Sequence, residues 1–410
     1  MTRLREEFGF IEGNYLVLVT SWIVMDFAME LPRTYYPFYV LDPALGGSPF
    51  TLGLIGFASF IALASVQFPG GYLADRFGRR WLITTMTFGI AFSFILYAVA
   101  PSWHWILVGA LINSLCLIYQ PALMAMIADS VPSERRGMGF SIITLIERTA
   151  STPAPALALL LFLTFGLVPS MRIGYGVVVV LFLAAALLRI RLRETIKTVE
   201  KPRAKDIISS YPRALRDGVA VWRVVPRSVF YLFIAGLIGF AAFMMVEPFF
   251  AVYAEDNLGI SKSEWGILNI FLSLVILVFA IPCGKLIDTV GRKKPLLLSY
   301  VFTALAMLFF VFGDELRIFI AMLLGGVGQV LVMAASSSLQ ADLVPRQYRG
   351  KVIGFTNFMN YIAISVAQLS GGFIYQEVSH QIPFFLVILL QIPALLITFL
   401  LVREPEKREA

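Results

Sequence analysis

Twelve apolar runs, each long enough to cross a lipid bilayer, constrain the fold of this chain more than any other feature. They cover approximately residues 14–40, 50–73, 81–100, 103–128, 138–166, 170–190, 228–254, 264–287, 295–313, 316–340, 351–376 and 381–402. About 20 apolar residues form one membrane-spanning helix, and lipid offers the backbone no hydrogen-bond partners, so each run is predicted to be helical. We therefore predict an all-α membrane protein with twelve transmembrane helices, numbered here as spans 1 to 12.

The composition excludes several other classes of protein. Only 14% of the 410 residues are charged and 59% are hydrophobic, whereas about 25% are charged in an ordinary soluble domain. A water-soluble enzyme of this composition would expose large apolar patches. Two cysteines (Cys116, Cys283) lie inside apolar runs, and two histidines (His104, His380) lie near span ends, without any metal or catalytic motif. We expect no enzyme activity, no cofactor and no metal site.

The positions of the basic residues indicate how the chain is oriented. With the N-terminus inside, most of the 33 lysines and arginines fall in cytoplasmic segments, including eleven from Arg189 to Arg227. The outer loops hold only Arg172, Lys262 and Arg317. Basic loops stay on the cytoplasmic side, so we predict a multi-pass protein of the cytoplasmic membrane with both termini cytoplasmic. The net charge of +7 then lies beside anionic lipid and predicts no nucleic-acid partner.

An internal repeat divides the spans into two sets of six. Seven positions between Pro69 and Arg80 recur, as the same or a similar residue, between Pro282 and Lys293 at an offset of 213. Further along, residues 128–132 (Ala-Asp-x-Val-Pro) recur at the same offset as residues 341–345. One register kept across two intervening spans predicts two homologous six-helix bundles of the same orientation, at 1–190 and 228–410.

The polar stretch 191–227 between the two bundles is predicted to be a cytoplasmic linker. Ile207, Ile208, Tyr211, Leu215, Val219 and Trp222 occur in it at near-helical spacing, among basic residues. This pattern is typical of an amphipathic helix whose apolar face rests on the inner leaflet. A site for a regulatory partner is the alternative.

Residues 71–80 (Gly71-Tyr-Leu-Ala-Asp75-Arg76-Phe-Gly78-Arg79-Arg80) resemble the signature between spans 2 and 3 of the major facilitator superfamily, and residues 284–293 resemble its second-half copy. The resemblance covers the whole chain, including an Asp-x-x-Pro-x-x-x-Arg-Gly element after spans 4 and 10. It implies the fold of that superfamily, two six-helix bundles. It also implies a monomeric secondary transporter that works by alternating access on a small-molecule substrate.

The resemblance further implies cytoplasmic clusters that latch the two halves in the outward-facing state. Arg79 is expected to pair with Asp129, Arg292 with Asp342, and Asp75 is expected to meet the start of span 11. Glycine at 71 and 284 is expected to let helices pack closely. The candidate gating residues are Gly71, Asp75, Arg76, Arg79, Asp129, Arg136, Gly284, Asp288, Arg292, Asp342 and Arg349. The alternative is that the basic residues only mark the cytoplasmic side.

Two departures from the family pattern limit these implications. Trp105 stands before Gly109, where many members carry an arginine in span 4, so a proton-relay role for that arginine is not carried over. In span 5 the stretch 148–156 (Arg-Thr-Ala-Ser-Thr-Pro-Ala-Pro-Ala) only loosely resembles the glycine-proline motif of exporters, because its glycines are missing. The members that the chain resembles are those of the drug:proton antiporter type.

Ionisable side chains inside the spans are the main candidates for transport chemistry, because burial of a charge in lipid is expensive. They are Asp26, Glu30 and Arg33 in span 1, Glu147 and Arg148 in span 5, and Glu247 in span 7. Asp26 lies about 18 Å into span 1, near the midplane, and shares one face with Glu30 and Arg33. A carboxyl group removed from water holds a proton more readily, so Asp26 is the predicted proton carrier. The alternative is a static network that holds span 1.

Uncharged polar and aromatic residues supply weaker candidates. Asn113, Asn357 and Asn360 are candidate substrate-binding residues, although helix–helix hydrogen bonds are the more common role of such amides. Tyr35, Tyr36, Tyr39, Phe249, Phe250 and Tyr253 crowd the outer ends of spans 1 and 7. We expect most of them to form an aromatic belt at the lipid–water interface.

The function that these patterns favour is proton-coupled efflux of small amphipathic or cationic molecules, with protons, substrate and lipid bilayer as the only partners. Competition of substrate and proton for one carboxylate is the simplest basis for such antiport. Proton-coupled uptake of a small metabolite, with Arg33 or Arg148 binding an organic anion, is the alternative. A membrane sensor without transport is a third reading, which the intact signature disfavours.

Overall fold

The computed structural model describes residues 10–76, 78–132, 135, 138–139, 142–143, 149, 151–196, 212 and 215–404, without the side chains of Asp75, Arg76 and Arg346. All regular elements in these ranges are helices, as predicted. Packing divides the chain into a first unit, Met1–Leu45 with Ser65–Arg213, and a second unit, Gly46–Ala64 with Ala214–Ala410. The boundaries drawn from the repeat stay predictions. Span ends predicted to face the cytoplasm are called inner ends, and the others outer ends.

The helices are numbered in chain order. They are α1 Gly13–Arg33, α2 Tyr36–Leu41, α3 Pro49–Arg76, α4 Arg79–Ala98, α5 Trp103–Cys116, α6 Gln120–Ser130, α7 Ala154–Phe165, α8 Leu167–Arg189, α9 Arg227–Val246, α10 Phe250–Asp256, α11 Lys262–Val290, α12 Lys293–Val311, α13 Glu315–Leu343, α14 Arg349–Glu377 and α15 Ile382–Leu401. In the described part of the chain, 11 segments are long and apolar enough to span a membrane, and they match eleven predicted spans. The remaining one, span 5, lies partly outside the described residues and ends in α7.

Spans 1, 4 and 7 are interrupted beside prolines. Span 1 breaks between α1 and α2, next to Pro37. Span 4 passes through a 3₁₀ turn at Leu117–Tyr119 before Pro121, and span 7 through one at Glu247–Phe249. Proline lacks the N–H that a continuous helix needs, so the chain changes its hydrogen-bonding pattern at each of these points.

Aromatic residues at the outer ends of spans 1 and 7 belong to the protein interior, which corrects the expectation of a lipid-facing belt. At most 1% of the surface is exposed in four of them: Tyr35, Tyr39, Phe249 and Tyr253. The ring centroid of Tyr39 lies 5.9 Å from that of Tyr175, and the centroid of Tyr253 lies 4.8 Å from that of Phe384. Contact with other aromatic rings, together with bonded hydroxyl groups, favours the interior over the interface.

Two tyrosine hydroxyls fix these outer ends in the same way in both units. Tyr39 Oη donates to the carbonyl oxygen of Tyr97 at 2.9 Å, and Tyr253 Oη donates to that of Val311 at 3.1 Å. In each case donor and acceptor are 58 residues apart. The bond joins the outer end of the first span of each half to the outer end of the third, so the repeat extends to hydrogen bonds that the aligned motifs do not include.

A second pair of contacts is repeated with tyrosine and phenylalanine exchanged. Tyr35 stacks on Phe162 with ring centroids 4.9 Å apart, and Phe249 stacks on Tyr375 at 5.0 Å. The hydroxyls of Tyr35 and Tyr375 are buried and form no hydrogen bond with any described residue. A buried hydroxyl without a partner costs about 1–3 kcal/mol, so ring contact is what holds these two side chains in place.

The outer half of α3 packs against α14, which explains why Gly46–Ala64 groups with the second unit. A Cβ at Gly53 would lie 2.4 Å from the carbonyl oxygen of Gln368, and a Cβ at Gly56 would lie 1.5 Å from Gln368 Oε1. At Gly53 the two backbones approach so closely that only glycine fits, whereas a side chain at Gly56 would displace the end of the Gln368 side chain.

Replacement of Tyr39 or Tyr253 by phenylalanine removes one buried hydrogen bond and leaves its carbonyl acceptor without a donor. We expect Tyr39→Phe and Tyr253→Phe each to lower the free energy of unfolding by about 1 kcal/mol. The measurement is the midpoint of thermal unfolding of the purified protein in detergent.

Tyr35→Phe and Tyr375→Phe are the matched controls, because they delete the same atom from equally buried rings without breaking a hydrogen bond to any described residue. We expect them to leave the midpoint unchanged or to raise it. A decrease as large as that of Tyr39→Phe would contradict the assignment of the two tyrosine–carbonyl bonds.

Candidate functional site

A cluster of charged side chains lies at the inner end of the first unit, where α4 begins. The Arg79 guanidinium pairs with the carboxylate of Asp129, near the end of α6, and its Nη1 also donates to Thr195 Oγ1 at 3.1 Å. The predicted pairing is therefore present. Only 13% of the Arg79 side chain is exposed, so solvent screens this pair less than an ion pair on the open surface.

The second unit contains the equivalent pair at the start of α12. Arg292 Nη1 lies 2.6 Å from Asp342 Oδ2, and both side chains are largely buried. This pairing was also predicted. It forms although Thr289 replaces the arginine that stands at the corresponding place, Arg76, in the first half.

Each cluster contains a glutamate that the sequence analysis did not single out. Glu194 accepts the backbone N–H groups of the first two residues of α4, both at 3.1 Å. Glu404 Oε1 accepts the N–H groups of Arg292 and Lys293 at the start of α12. Each carboxylate thus satisfies free N–H groups at a helix N-terminus and faces the positive end of the helix dipole.

The two capping glutamates do recur in the sequence, but at a different offset from the other repeated motifs. Arg193-Glu194-x-x-Lys197 recurs as Arg403-Glu404-x-x-Lys407, directly after the last span of each half. The offset is 210 instead of 213, so a comparison at one fixed register misses it.

Glycine in the turn before each capped helix is required by the backbone. Gly78 and Gly291 both have a φ of 88°, a conformation that residues with a Cβ rarely adopt. A Cβ at Gly291 would also lie 3.0 Å from Glu404 Oε1, closer than it is normally found to another atom. The signature glycine therefore allows the cap to form.

The segment that follows the last span of each half also binds the start of the first span. Asn14 Nδ2 donates to the carbonyl oxygen of Arg193 at 2.8 Å, and Asn14 Oδ1 accepts the N–H of Arg193 at 2.7 Å. In the second unit, Ser228 Oγ accepts the N–H of Arg403 at 3.2 Å. One short segment thus ties the inner ends of three helices of its own bundle together.

Other candidate gating residues have different surroundings. Arg136 and the side chains of Asp75 and Arg76 lie outside the described residues, so the contact of Asp75 with span 11 stays a prediction. Arg349 Nη2 donates to the carbonyl oxygen of Ala341 at 2.6 Å, at the end of α13. Asp288 is exposed.

Gly71 and Gly284 do not provide the close packing that was expected of them. A Cβ at either position would meet no heavy atom within 4 Å in the part of the chain that the structure describes. In the first unit the close approach occurs one residue earlier, because a Cβ at Gly70 would lie 2.3 Å from the carbonyl oxygen of Ile118. Ile118 belongs to the 3₁₀ turn of span 4, which brings its backbone toward α3.

The ionisable residues of span 1 differ in exposure. Asp26 is partly buried in α1, and its Oδ2 atom has almost no contact with solvent. Glu30 Oε2 lies 3.2 Å from Arg33 Nη1, as predicted from their spacing, and 60% of the Arg33 side chain is exposed. Asp26 therefore occupies the drier position, whereas Glu30 and Arg33 form a pair toward the outer end.

The remaining intramembrane candidates are only partly described. Glu147 and Arg148 lie outside the described residues. Glu247 is partly buried and begins the 3₁₀ turn of span 7.

The three candidate asparagines lie within the spans. Asn113 in α5, and Asn357 and Asn360 in α14, are partly buried and form no side-chain hydrogen bond with any described residue. The Asn113 Nδ2 group is shielded from solvent and lacks an acceptor within the described ranges. The helix–helix hydrogen bonds that were weighed as the alternative role are thus not formed by these three side chains in the described ranges.

Arg189 is buried within the first unit, whereas the sequence analysis places it with the cytoplasmic basic residues. It is 1% exposed, its Nε donates to Ser21 Oγ at 3.0 Å, and its Nη1 donates to Thr87 Oγ1 at 2.7 Å. The Tyr119 ring centroid lies 5.4 Å from its Cζ atom. No carboxylate of a described residue pairs with it, so hydroxyl groups and an aromatic face stabilise the charge. These contacts join α1, α4, α8 and the turn in span 4.

The chain matches the family model described as Major Facilitator Superfamily over residues 18–256 and 232–410. It is 24% identical over 383 residues to the Na(+), Li(+), K(+)/H(+) antiporter of Planococcus maritimus, and the match covers 87% of each chain. It is 25% identical over 182 residues to the quinolone resistance protein NorA of Staphylococcus aureus, which is 44% of this chain and 46% of NorA. The solved nucleoside transporter NupG is 14% identical, with a TM-score of 0.71 over 94% of this chain and 98% of its own, and shares the fold.

Removal of either capping carboxylate should destabilise the helix that it caps. We expect Glu194→Ala and Glu404→Ala each to lower the free energy of unfolding by about 1–2 kcal/mol, because two N–H groups lose their acceptor and the dipole loses its counter-charge. Thermal unfolding in detergent measures the change.

Glu12→Ala is the control, since Glu12 is the residue before α1 and its side chain forms no cap. We expect the control to leave the unfolding midpoint within error of the unmodified protein. Equal effects of all three substitutions would refute the specific role of Glu194 and Glu404.

Proposed function

The chain belongs to the major facilitator superfamily and is a secondary transporter, and from this premise we propose that it exports small amphipathic or cationic molecules in exchange for protons. The observation that carries the proposal is the position of Asp26. A partly buried carboxylate with one shielded oxygen lies about halfway along the first span. Such a group binds either a proton or a cation, and competition between the two couples their movements in opposite directions.

The pair formed by Glu30 and Arg33 has a different role in this scheme. Arg33 and Glu30 form an ion pair one helical turn apart, in which the opposite charges attract each other. Glu30 also lies closer to the outer end of α1 than Asp26, and 29% of its side chain is exposed. We therefore assign proton transfer to Asp26 and leave Glu30 and Arg33 as fixed charges at the outer opening.

Two relatives support exchange with protons and export. One is named as an antiporter of Na(+), Li(+) and K(+) against H(+), and the other as a quinolone resistance protein. The first name agrees with exchange of a cation for a proton, and resistance to a small organic molecule is a result that export would produce. Asn113, Asn357 and Asn360, whose side chains form no hydrogen bond with any described residue, are proposed to bind the substrate.

Uptake of a small metabolite or organic anion is the second candidate. It depends on an arginine that binds the anion, and Arg33 already faces Glu30. Arg148, the other candidate, lies outside the described residues. The contacts of Arg33 therefore favour export.

The two inner clusters are proposed to control the conformational cycle. The Arg79–Asp129 and Arg292–Asp342 pairs hold the loops after spans 2 and 8 in defined positions. Asp75 and Asp288 lie in the last helical turn before these loops, and the fixed geometry of the loops is proposed to latch the outward-facing state.

Replacement of Asp26 by asparagine should abolish transport driven by a pH gradient. In proteoliposomes with an imposed gradient, we expect Asp26→Asn to reduce uptake of a lipophilic cation at least tenfold and to remove its dependence on pH. The reason is that an amide neither releases a proton nor attracts a cation.

Asp256→Asn is the matched control, because Asp256 is an exposed aspartate at the end of α10. It should transport like the unmodified protein. If Asp26→Asn retains the pH dependence of the unmodified protein, Asp26 is not the proton carrier.

Loss of an inner ion pair should shift the protein toward states that are open to the cytoplasm. We expect Asp129→Asn or Asp342→Asn to increase the rate at which a cytoplasmic maleimide labels Asn360→Cys, in a background with Cys116→Ala and Cys283→Ala. Asp256→Asn serves again as the control. Unchanged labelling in both variants would refute the latch.

A further inference from the structure

The end of the linker, residues 215–227, has two chemically different faces. Residues 215–220 are helical, Val221–Arg223 form a 3₁₀ turn, and Arg227 begins α9. One face packs on the second unit and the other is open to solvent in the described structure. The segment lies directly at the predicted inner end of span 7.

Gly218 and Trp222 mark the face that contacts the bundle. A Cβ at Gly218 would lie 2.7 Å from Phe355 Cδ2, so the segment touches α14 closely. The Trp222 ring stacks on Phe233 with centroids 4.9 Å apart and meets Phe355 edge-on at 5.8 Å. Trp222 therefore faces the bundle, which corrects the expectation that it rests on the lipid.

The same face continues into the core of the second unit. Val221 and Val225 are buried in a cluster that includes Val352 of α14 and Val402 after α15. An ion pair, Lys351 Nζ to Asp217 Oδ2 at 3.6 Å, adds a contact at the surface. The segment is thus anchored to the start of α14 by apolar packing, with little from the exposed ion pair.

The opposite face combines positive charge with apolar surface. Arg216, Arg223 and Arg227 are exposed. Val219 is 55% exposed and Val224 is 57% exposed between them. An exposed face of arginines and valines beside a membrane span matches the boundary of an anionic bilayer, where headgroups bind the arginines and acyl chains cover the valines.

We propose that residues 215–227 form a binding surface for anionic phospholipid headgroups, and that its occupancy changes transport through the contact with α14. The path is short, because Gly218 and Trp222 touch Phe355 on the reverse side of the same segment. Bound headgroups hold the segment against the membrane, and the segment in turn holds the start of span 11. Transport therefore depends on the anionic lipid content of the inner leaflet.

The test uses the full chain in vesicles of phosphatidylcholine, with or without phosphatidylglycerol. A fluorophore on Ala220→Cys, in the Cys116→Ala and Cys283→Ala background, reports contact with brominated lipids by quenching. We expect stronger quenching by brominated phosphatidylglycerol than by brominated phosphatidylcholine. Arg216→Gln/Arg223→Gln should weaken this preference about fivefold per arginine. The control is Lys285→Gln/Lys294→Gln, which removes the same charge from two exposed lysines elsewhere at the inner face. It should leave the quenching preference unchanged.

Transport assays test the second half of the proposal. We expect phosphatidylglycerol to change the transport rate of the unmodified protein and of the lysine control, but not of Arg216→Gln/Arg223→Gln. Gly218→Ala should keep the quenching preference and lose the response of transport, because the new methyl group displaces Phe355. The quenching assay measures lipid contact and does not require transport. It therefore distinguishes failure of lipid binding from failure of the proposed antiport.

Two results would overturn the proposal. One is equal quenching by the two lipids, or quenching that the arginine substitutions do not alter. The other is a fluorophore that stays in water in every vesicle, which would assign the face to a partner other than lipid.

Discussion

The inner end of each bundle depends on one interaction, the cap that a glutamate after the last span provides for the third span. Glu194 and Glu404 each satisfy two backbone N–H groups that would otherwise have no partner at the start of a helix. The cap requires a left-handed glycine in the turn before the helix, and it holds the neighbouring arginine where an aspartate meets it. The signature between spans 2 and 3 therefore contains the glycine turn and the helix start that the glutamate caps.

The third span of each half is also fixed at its outer end, where a tyrosine of the first span bonds to its last turn. In the first unit, Arg189 adds a third connection between helices. Its guanidinium donates hydrogen bonds to Ser21 and Thr87 and lies over the Tyr119 ring. Helices tied at both ends move together more readily than separately. This agrees with the proposed cycle, in which whole bundles change position and Asp26, between the inner and outer connections, is proposed to exchange proton and substrate.

Most of the fold follows from the sequence because lipid imposes simple rules on it. Apolar length predicts the spans, the register of 213 predicts the two halves, and the resemblance to the superfamily implies the Arg79–Asp129 and Arg292–Asp342 pairs, which the structure contains. The repeat at offset 213 does not reveal the Glu194 cap, because its copy at Glu404 lies at an offset of 210. The distribution of basic residues does not reveal the burial of Arg189, because a buried arginine and a cytoplasmic one count alike. Tyr39 and Tyr253 were assigned to the lipid interface because aromatic residues at span ends have the same pattern whether they face lipid or core.

The central claim is exchange of protons for a cationic substrate, and movement of protons is its most direct test. Proteoliposomes that contain a pH-sensitive dye are loaded with a lipophilic cation and diluted into cation-free buffer of the same pH, with a membrane-permeable ion present to hold the potential at zero. The account predicts that the lumen becomes more acidic as the cation leaves, and that Asp26→Asn removes this change. Cation efflux without any change in luminal pH in the unmodified protein would contradict it.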